Sequence, residues 1–286
     1  MIKNFSVVIV TFHSEKIIEE TIKNFLDQEI IIVDCSNNKE LQELFKLKYP
    51  TVKYILSETN LGYGAGNNLG MRSASNNNIL ILNPDALMNN ESKNQLLKYI
   101  NEIKYYGILC PNMSNEQGRE FSKINNYEPA TVDWELGKHF LVGGCALLLN
   151  KEVLKNDIYF DETIWMYKED TDLLKRVYDK NIPIYFLPKC SINHLGSKSH
   201  NTKFNEELNI SRQFHWPYGN VYFYKKHFGF FKAFNMWGFK MIKGFFKTIF
   251  YLLLFNKKYK KYQARFLGTL SAFLGMKPWY RPKIKK

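Results

Sequence analysis

Acidic residues are missing from the end of this 286-residue sequence. Leu208 to Lys286 holds no Asp or Glu but 17 Lys and Arg, which leaves 23 of the 40 basic residues and all 27 acidic ones in Met1 to Glu207. A mildly acidic body of net charge −4 therefore carries a tail of +17, and the overall +13 misdescribes both parts. Cysteine is sparse: Cys35, Cys110, Cys145 and Cys190 lie far apart with no CxxC pair. That spacing excludes a zinc ribbon and a disulfide framework, and reduced cytosolic thiols are expected. Long apolar runs are lacking. In the tail the longest is Ile249 to Phe255, short of the roughly 20 residues a bilayer span needs. MIKNFSVVIV lacks the apolar core and small-residue cleavage site of a signal peptide. There is no internal repeat, no low-complexity linker and no GxGxxG. The glycine-rich LGYGAGNN (Leu61 to Asn68) has no lysine for a phosphate loop.

Against these absences, 45% of the residues are hydrophobic, enough for a sizeable core. Phe5 to Phe12 is β-branched and apolar, as a buried parallel strand is. Ser14 is positioned to cap a helix over Glu15 to Leu26. Further strands are expected at Ile30 to Val33, Val52 to Leu56 and Ile79 to Leu82. Helices are expected at Asn38 to Lys48, near Asn67 to Ser75 and at Glu91 to Lys104. This alternation specifies a doubly wound α/β sheet. After Tyr106 come shorter strands at Gly107 to Cys110, Arg119 to Ile124 and Phe140 to Leu149, a helix at Lys168 to Asp179, and strands at Ile182 to Leu187 and Cys190 to His194.

The tail is different in kind. Trp216 to Phe255 is aromatic-rich, and Lys225, Lys232, Lys240, Lys243 and Lys247 fall within an arc of about 80° at helical spacing. A basic face beside an aromatic one describes an interfacial helix on anionic lipid. Gly229, Gly238 and Gly244 are expected to divide it into shorter pieces. The domain division expected is 1–204, split into a nucleotide-binding half (1–105) and an acceptor-binding half (106–204), followed by a basic helical region at 205–286.

Several residues point to chemistry, each beside a plainer role. Asp34 ends a strand at an edge where ligands bind in open α/β sheets, but Asp-Cys-Ser-Asn-Asn is also ordinary turn composition. Asn83-Pro84-Asp85 presents a carboxylate at the end of another strand. A Mg²⁺ or Mn²⁺ on a diphosphate needs few protein ligands, so Asp85 with one partner would suffice; the alternative is a simple Asn-Pro-Asp turn. Glu169-Asp170-Thr171-Asp172 opens a helix, and one acid there could act as a general base or merely suit the helix N-terminus. His194 could ligate a metal, with His200 a second candidate, though a lone histidine is more often structural.

Taken in order, SVVIVTF, IIIVDCSNN, NLGYGAGNN, LILNPDA, FLVGGCALLLNKEVL, FDETIWMYKEDTDLLKRV and INHLGSKSH resemble the glycosyltransferase family 2 enzymes, within them the rhamnosyltransferase-like branch. The likeness spans roughly Phe5 to His200. It implies the GT-A fold, a Rossmann-like nucleotide-diphospho-sugar transferase fold with a mixed central sheet, here followed by a C-terminal basic amphipathic helical tail. By that resemblance Thr11 and Asp34 hold the nucleotide base, and Asn60, Gly62, Gly66 and Asn67 line the nucleotide pocket. Asn83 and Asp85 match the DxD motif, with Asn in its first place, and Asp85 and His194 would be the metal ligands. Gly143 and Gly144 lie near donor and acceptor. Glu169 and Asp170 match the ED pair, with Asp170 the catalytic base, and Trp165 and Tyr167 would line the acceptor pocket. Cys35 stands where Asn or Asp is frequent.

The implied function is inverting transfer of a sugar from a dTDP- or UDP-linked donor, rhamnose first, to a lipid-linked glycan in bacterial cell-surface polysaccharide synthesis, with Mg²⁺ or Mn²⁺ as cofactor. A UDP-hexose or UDP-N-acetylhexosamine donor is the alternative. The tail would place the enzyme peripherally on the cytoplasmic leaflet, and could also form a homodimer contact. The rival of another class is a nucleic-acid-binding protein holding phosphates and stacking bases with the basic aromatic tail. The nearly continuous hydrophobic face favours lipid over nucleic acid.

Overall fold

The structure is a computed structural model and describes residues 5–115, 128–129, 132–133, 138–139, 144–195 and 205–282. In chain order its elements begin with β1 (Ser6–Thr11), α1 (Ile18–Ile22), β2 (Glu29–Asp34), α2 (Lys39–Lys48), β3 (Lys53–Leu56) and α3 (Tyr63–Ser73). Then follow β4 (Asn78–Leu82), β5 (Ala86–Leu87), α4 (Asn90–Glu102), β6 (Ile108–Asn115), β7 (Glu128–Pro129), β8 (Val132–Asp133) and β9 (Lys138–His139). The last are β10 (Ala146–Asn150), α5 (Lys151–Leu154), α6 (Glu169–Asp179), β11 (Ile184–His194), α7 (Asn205–Leu253) and α8 (Lys258–Phe273).

The chain divides into two compact units, Met1–Phe160 with Leu173–Asn201, and Asp161–Asp172 with Thr202–Lys286. Composition put the boundary at 204/205; by packing, Asp161–Asp172 groups with the C-terminal helices.

In the first unit nine strands form one mixed sheet in the order β3-β2-β1-β4-β10-β6-β11-β5, with β7 also on β11, and β8 pairs with β9 in a separate antiparallel ribbon. β3, β2, β1 and β4 are mutually parallel. β10 runs antiparallel to both β4 and β6, and β11 runs parallel to β6. β1 is buried along nearly its whole length, which is why its sequence reads as continuous β-branched residues instead of alternating ones. α3 lies unusually close to it: a Cβ on Gly70 would sit 2.3 Å from Val8 Cγ1, and one on Gly66 would sit 2.9 Å from Val10 Cγ1. α2 and α4 start on asparagine caps, Asn38 accepting from Leu41 N at 3.0 Å and Asn89 from Ser92 N at 2.8 Å.

Local expectations changed in several places. α1 is only five residues, continued by a 3-10 turn at Lys23–Phe25, and no side chain caps it. The Ser14 hydroxyl instead accepts from Phe12 N, so it serves the loop after β1. α3 begins at Tyr63, inside the glycine-rich stretch, and not at Asn67. The two last expected strands are one, β11, with a register irregularity between Leu187 and Ser191. Arg119 to Ile124 and the start of Phe140 to Leu149 lie outside the described residues.

In the second unit α7 is broken once, at Gly229 (φ 85°, ψ 167°), a left-handed conformation that favours glycine. Gly238 and Gly244 do not divide it. Gly244 lies against α8, with Phe266 backbone atoms 3.6–3.7 Å from where its Cβ would be. α8 packs on both halves of α7. Phe245–Phe266 (5.3 Å) and Tyr251–Tyr262 (5.3 Å) join it to the second half, and a Cβ on Gly268 would meet Phe214 O at 2.1 Å in the first. Beyond Gly229, seven exposed apolar residues of α7, Phe231, Phe239, Ile242, Phe246, Ile249, Phe250 and Leu253, fall within an arc of about 100° at helical spacing, while Phe230, Phe234, Phe245 and Leu252 are part-exposed on the side toward α8. Lys232, Lys240, Lys243 and Lys247 occupy roughly the next 80°. The aromatic residues thus split into a set packed on α8 and an exposed stripe edged with lysine.

Candidate functional site

The parallel half of the sheet brings two of the expected positions, Thr11 and Asp34, together at its C-terminal edge. Thr11 ends β1 directly opposite Asp34, which ends β2. Asp34 is fully buried. Its Oδ1 accepts from Ser36 N (2.7 Å) and Ser36 Oγ (2.6 Å), and its Oδ2 from Tyr54 OH (3.0 Å). The turn role and the edge role therefore coexist: three bonds orient the carboxylate, and a carboxylate has about four acceptor sites. Burial, then the Asp34 charge, pushes the Tyr54 phenol far up, so Tyr54 stays a donor. Cys35 is buried with its thiol raised to about 11, and its N–H donates to Thr11 O at 2.9 Å.

Gly62 caps α3 with φ 81°, and its N–H bonds Asn60 Oδ1 at 3.1 Å. Here the glycine conformation and the Asx turn explain both residue types. Gly66 is accounted for by the packing on β1 given above. Asn67 is buried, its Nδ2 donating to Tyr63 O at 3.0 Å. Tyr63 OH in turn donates to Gly144 O, tying the glycine-rich turn to the loop before β10. Gly143 and His200 lie outside the described residues.

β4 delivers Asn83-Pro84-Asp85. Asn83 N donates to Cys145 O (2.8 Å), Ala86 N to Asn83 O (3.1 Å) and Thr21 Oγ1 to Pro84 O. The chain then enters β5, whose Ala86 pairs with His194 of β11, and Leu195 N donates to Asp85 O at 3.0 Å. This register brings His194 Nε2 to 3.3 Å from Asp85 Oδ1. Asp85 is 1% exposed, and its Oδ1 makes no proper hydrogen bond in spite of that contact. Thr11 Oγ1, Asn67 Oδ1 and Asn83 Oδ1 are likewise buried and without partners. Unmet buried oxygens are costly, about 1–3 kcal/mol each, and these four fall at expected ligand positions of the first unit.

Among the described residues no cluster of three or more His, Cys, Asp and Glu side chains gathers. A two-residue donor set still fits a hard cation shared with a diphosphate. Neighbouring vertices of an octahedron with bonds of about 2.1 Å lie about 3.0 Å apart, close to the spacing of Asp85 and His194.

The second unit carries the acidic segment. Tyr167 (φ 69°) and Lys168 (φ 80°) are both left-handed, a strained pair immediately before Glu169. Glu169 is buried with Oε2 unpartnered, and burial followed by the Asp170 charge raises its carboxyl well above the usual range. Asp170 is half-exposed, its Oδ1 accepting from Thr171 N (2.6 Å) and Thr171 Oγ1 (3.1 Å). Environment thus separates two adjacent acids, the arrangement that lets one stay protonated beside a reactive partner. Asp172, a third acid of the same turn, is fully buried and bonded to His227 Nε2 (2.7 Å) and Lys226 Nζ (2.8 Å). It is a structural anchor.

Trp165 is buried, with the His215 ring 4.3 Å away and the Arg281 guanidinium 4.6 Å from its centroid. Tyr167 OH accepts from Arg212 Nε at 3.1 Å. Asp161, at the other end of the segment, accepts from Tyr222 OH (2.9 Å) and Lys226 Nζ (2.7 Å). Burial opposes the ionised form of Asp161, but Lys226 and its hydrogen bonds outweigh that and hold its carboxyl below the usual range. None of Arg212, His215, Lys226, His227 and Arg281 is foreseeable from the sequence. They sit in the tail, where charge and aromatic content read as a surface, and only packing reveals their partners.

A parallel βαβ half with polar groups at its C-terminal edge, continued by a mixed half, is an α/β sheet of the kind that binds ligands at that edge. A profile described as glycosyl transferase family 2 matches residues 6–157, more than half the chain, and the protein belongs to that family. Among curated relatives, the low-salt glycan biosynthesis hexosyltransferase Agl10 of Haloferax volcanii is 28% identical over 64% of this chain and 64% of its own length. Rhamnosyltransferase WbbL of Escherichia coli K12 is 24% identical over 76% of this chain and 91% of its own. The chain thus spans just under two thirds of Agl10. Among solved structures, S. aureus TarS 1-349 in complex with UDP superposes with a TM-score of 0.56 at 22% identity, covering 99% of this chain and 94% of that one. This likeness shows the GT-A fold.

Proposed function

We propose that the protein is an inverting glycosyltransferase that moves a sugar from a nucleoside diphosphate to a hydroxyl of a lipid-linked glycan. The observation that carries this is the buried, unpartnered Asp85 Oδ1 beside His194 at the C-terminal edge of the sheet. Catalysis is assigned to residues 1–204 and membrane association to 205–286. Asp34 and Thr11 bind the base, with Asn60, Gly62, Gly66 and Asn67 beside the nucleotide and Gly144 near the sugar. Asn83, Asp85 and His194 face the diphosphate. Asp85 and His194 would hold a Mg²⁺ or Mn²⁺, which stabilises the negative charge that develops on a diphosphate leaving group. Asp170 removes the proton of the acceptor hydroxyl as its oxygen forms the new bond to the anomeric carbon. The bond from that carbon to the diphosphate oxygen breaks on the opposite face, so an α-donor yields a β-link and β-dTDP-rhamnose an α-link. Burial disfavours a second charge on Glu169 beside Asp170, and Trp165 and Tyr167 shape the acceptor side.

For the donor we place dTDP-rhamnose first, supported by the likeness to WbbL over most of its length. A UDP-hexose or UDP-N-acetylhexosamine is the second choice, supported by the UDP complex of TarS. Thermal shift with free nucleotides and nucleotide-sugars, with and without Mn²⁺, decides: stabilisation by thymidine over uridine nucleotides selects rhamnose, the reverse selects the second, and none by either rejects the class.

The exposed stripe of α7 is assigned to anionic lipid. Among the described residues no helix is long and apolar enough to cross a membrane. Phe231 is 86% exposed and Phe255 96%, flanked by lysines and with no acid anywhere from Leu208 onward. That pattern suits headgroup phosphates over acyl chains, and two +17 tails would repel each other in a dimer. Flotation with phosphatidylglycerol vesicles, set against retention on single-stranded DNA at the same salt, separates this from the nucleic-acid alternative.

A further inference from the structure

Two side chains on one face of the sheet carry polar atoms that the fold leaves unmet. β6 and β11 run parallel, with Ser191 opposite Asn112 and Asn193 opposite Ser114. On β6, Leu109 belongs to the hydrophobic core of one face, so alternation sends Ile108, Cys110 and Asn112 to the other. On β11, beyond the irregularity, Cys190 and Ile192 belong to that same core, which turns Ser191 and Asn193 to the face of Asn112. Asn112 is 1% exposed, yet neither its Oδ1 nor its Nδ2 has a hydrogen-bond partner, and Oδ1 of Asn193 has none either.

Packing does not ask for an amide at position 112. Ile108 and Cys110 on the same face are apolar and buried, and another apolar residue would avoid an unmet donor and an unmet acceptor. The two asparagines sit on adjacent strands at a diagonal, a spacing of roughly 7–8 Å. Together they present two acceptor oxygens and one NH₂ donor. A phosphate accepts only and would set both oxygens against negative charge. Ring hydroxyls both donate and accept, and neighbouring hydroxyls on a pyranose can serve two side chains at once.

We propose that Asn112 and Asn193 form a subsite for the hydroxyl groups of a sugar ring. It rests on the transferase reading above and extends it to residues that no motif marks. The ring could belong to the donor or to the acceptor.

The test uses the full chain with Asn112→Leu, close in size but apolar, and Asn193→Ala. Apo melting temperature is measured, with binding of UDP, dTDP, UDP-N-acetylglucosamine and dTDP-rhamnose by calorimetry and transfer to a panel of octyl glycosides. Because the amides await a ligand, the apo protein should melt at or above the wild-type temperature, and free nucleotides should bind as before. For a donor subsite, nucleotide-sugar affinity falls about tenfold or more. For an acceptor subsite that affinity holds and KM for the glycoside rises by a similar factor. A melting point lowered by several degrees with binding and KM unchanged would show the amides to be structural and overturn the proposal, as would no change in any quantity. A wild type that binds none of the four nucleotides rejects the transferase reading itself, whereas a wild type that binds them beside indifferent variants rejects only the subsite.

Discussion

Gly219→Ala tests how the acidic segment is held. A Cβ on Gly219 of α7 would lie 2.1 Å from the Tyr167 carbonyl oxygen, 3.1 Å from its carbon and 3.4 Å from Lys168 Cβ. Relief needs about 1 Å of movement in a peptide whose residues already hold left-handed φ angles. The segment cannot swing freely, because Asp161 and Asp172 near its ends are both bonded to Lys226, and Asp172 also to His227. Overpacking of this kind costs about 1–3 kcal/mol, offset by about 0.5–1 kcal/mol from replacing a helical glycine with alanine. The net loss of about 1–2 kcal/mol should lower Tm by roughly 2–8 °C. A shift of about 1 Å ahead of Glu169 and Asp170 should cost up to ~100-fold in kcat while nucleotide affinity holds. Gly238→Ala in the same helix is the control. Its Cβ would meet only the Phe234 ring, 3.0–3.2 Å away, which can rotate aside, so Tm should stay level or rise. Differential scanning calorimetry and steady-state kinetics read both variants. Equal Tm and equal kcat for Gly219→Ala and Gly238→Ala would refute the idea that α7 positions this segment.

Asp170→Asn should reduce transfer by roughly 10²–10⁴-fold with nucleotide binding intact; turnover at the wild-type rate would remove Asp170 as the base. Asp85→Ala should abolish the extra thermal stabilisation that Mn²⁺ adds to a bound nucleoside diphosphate, and a persisting Mn²⁺ increment would place the metal elsewhere. Glu169 has a folded pKa raised above its ordinary 4.5, so it favours folding fully below that value and the contribution drains away as pH rises toward the folded pKa. Glu169→Gln should therefore flatten the decline of Tm between about pH 4.5 and neutrality; an unchanged slope in a pH series of melts would contradict a neutral buried Glu169. Asp172→Ala leaves His227 without its buried partner and should cost about 3–5 kcal/mol, read by urea denaturation; a loss under 1 kcal/mol would mean the pair is not a buried anchor.

Much of the architecture was legible because it depends on local rules. Ser6–Thr11, Glu29–Asp34 and Asn78–Leu82 announce themselves as strands by their apolar runs, whereas the caps were not legible: Asn38 and Asn89 cap α2 and α4, and Ser14, the cap expected, serves a loop. The order of the chemical residues along the chain was also enough to indicate the family. Glycine was the poorest guide. Gly229 breaks a helix while Gly238 and Gly244 do not, since a glycine permits a positive φ without requiring one.

Composition alone determined that an acidic α/β body carries a basic aromatic tail, because charge and apolar content add up residue by residue. What only tertiary structure decided is which like residues differ. Asp85 is drawn to His194 by pairing of β5 with β11, across more than a hundred residues of chain. Asp172 became an anchor because His227 and Lys226 of α7 reach it, while Asp170, two residues before it, is half-exposed. The tail's aromatic residues divided into a set in contact with α8 and an exposed stripe by the same principle. A side chain's chemistry is local, but its partners and its access to water are set by whatever the rest of the fold brings beside it.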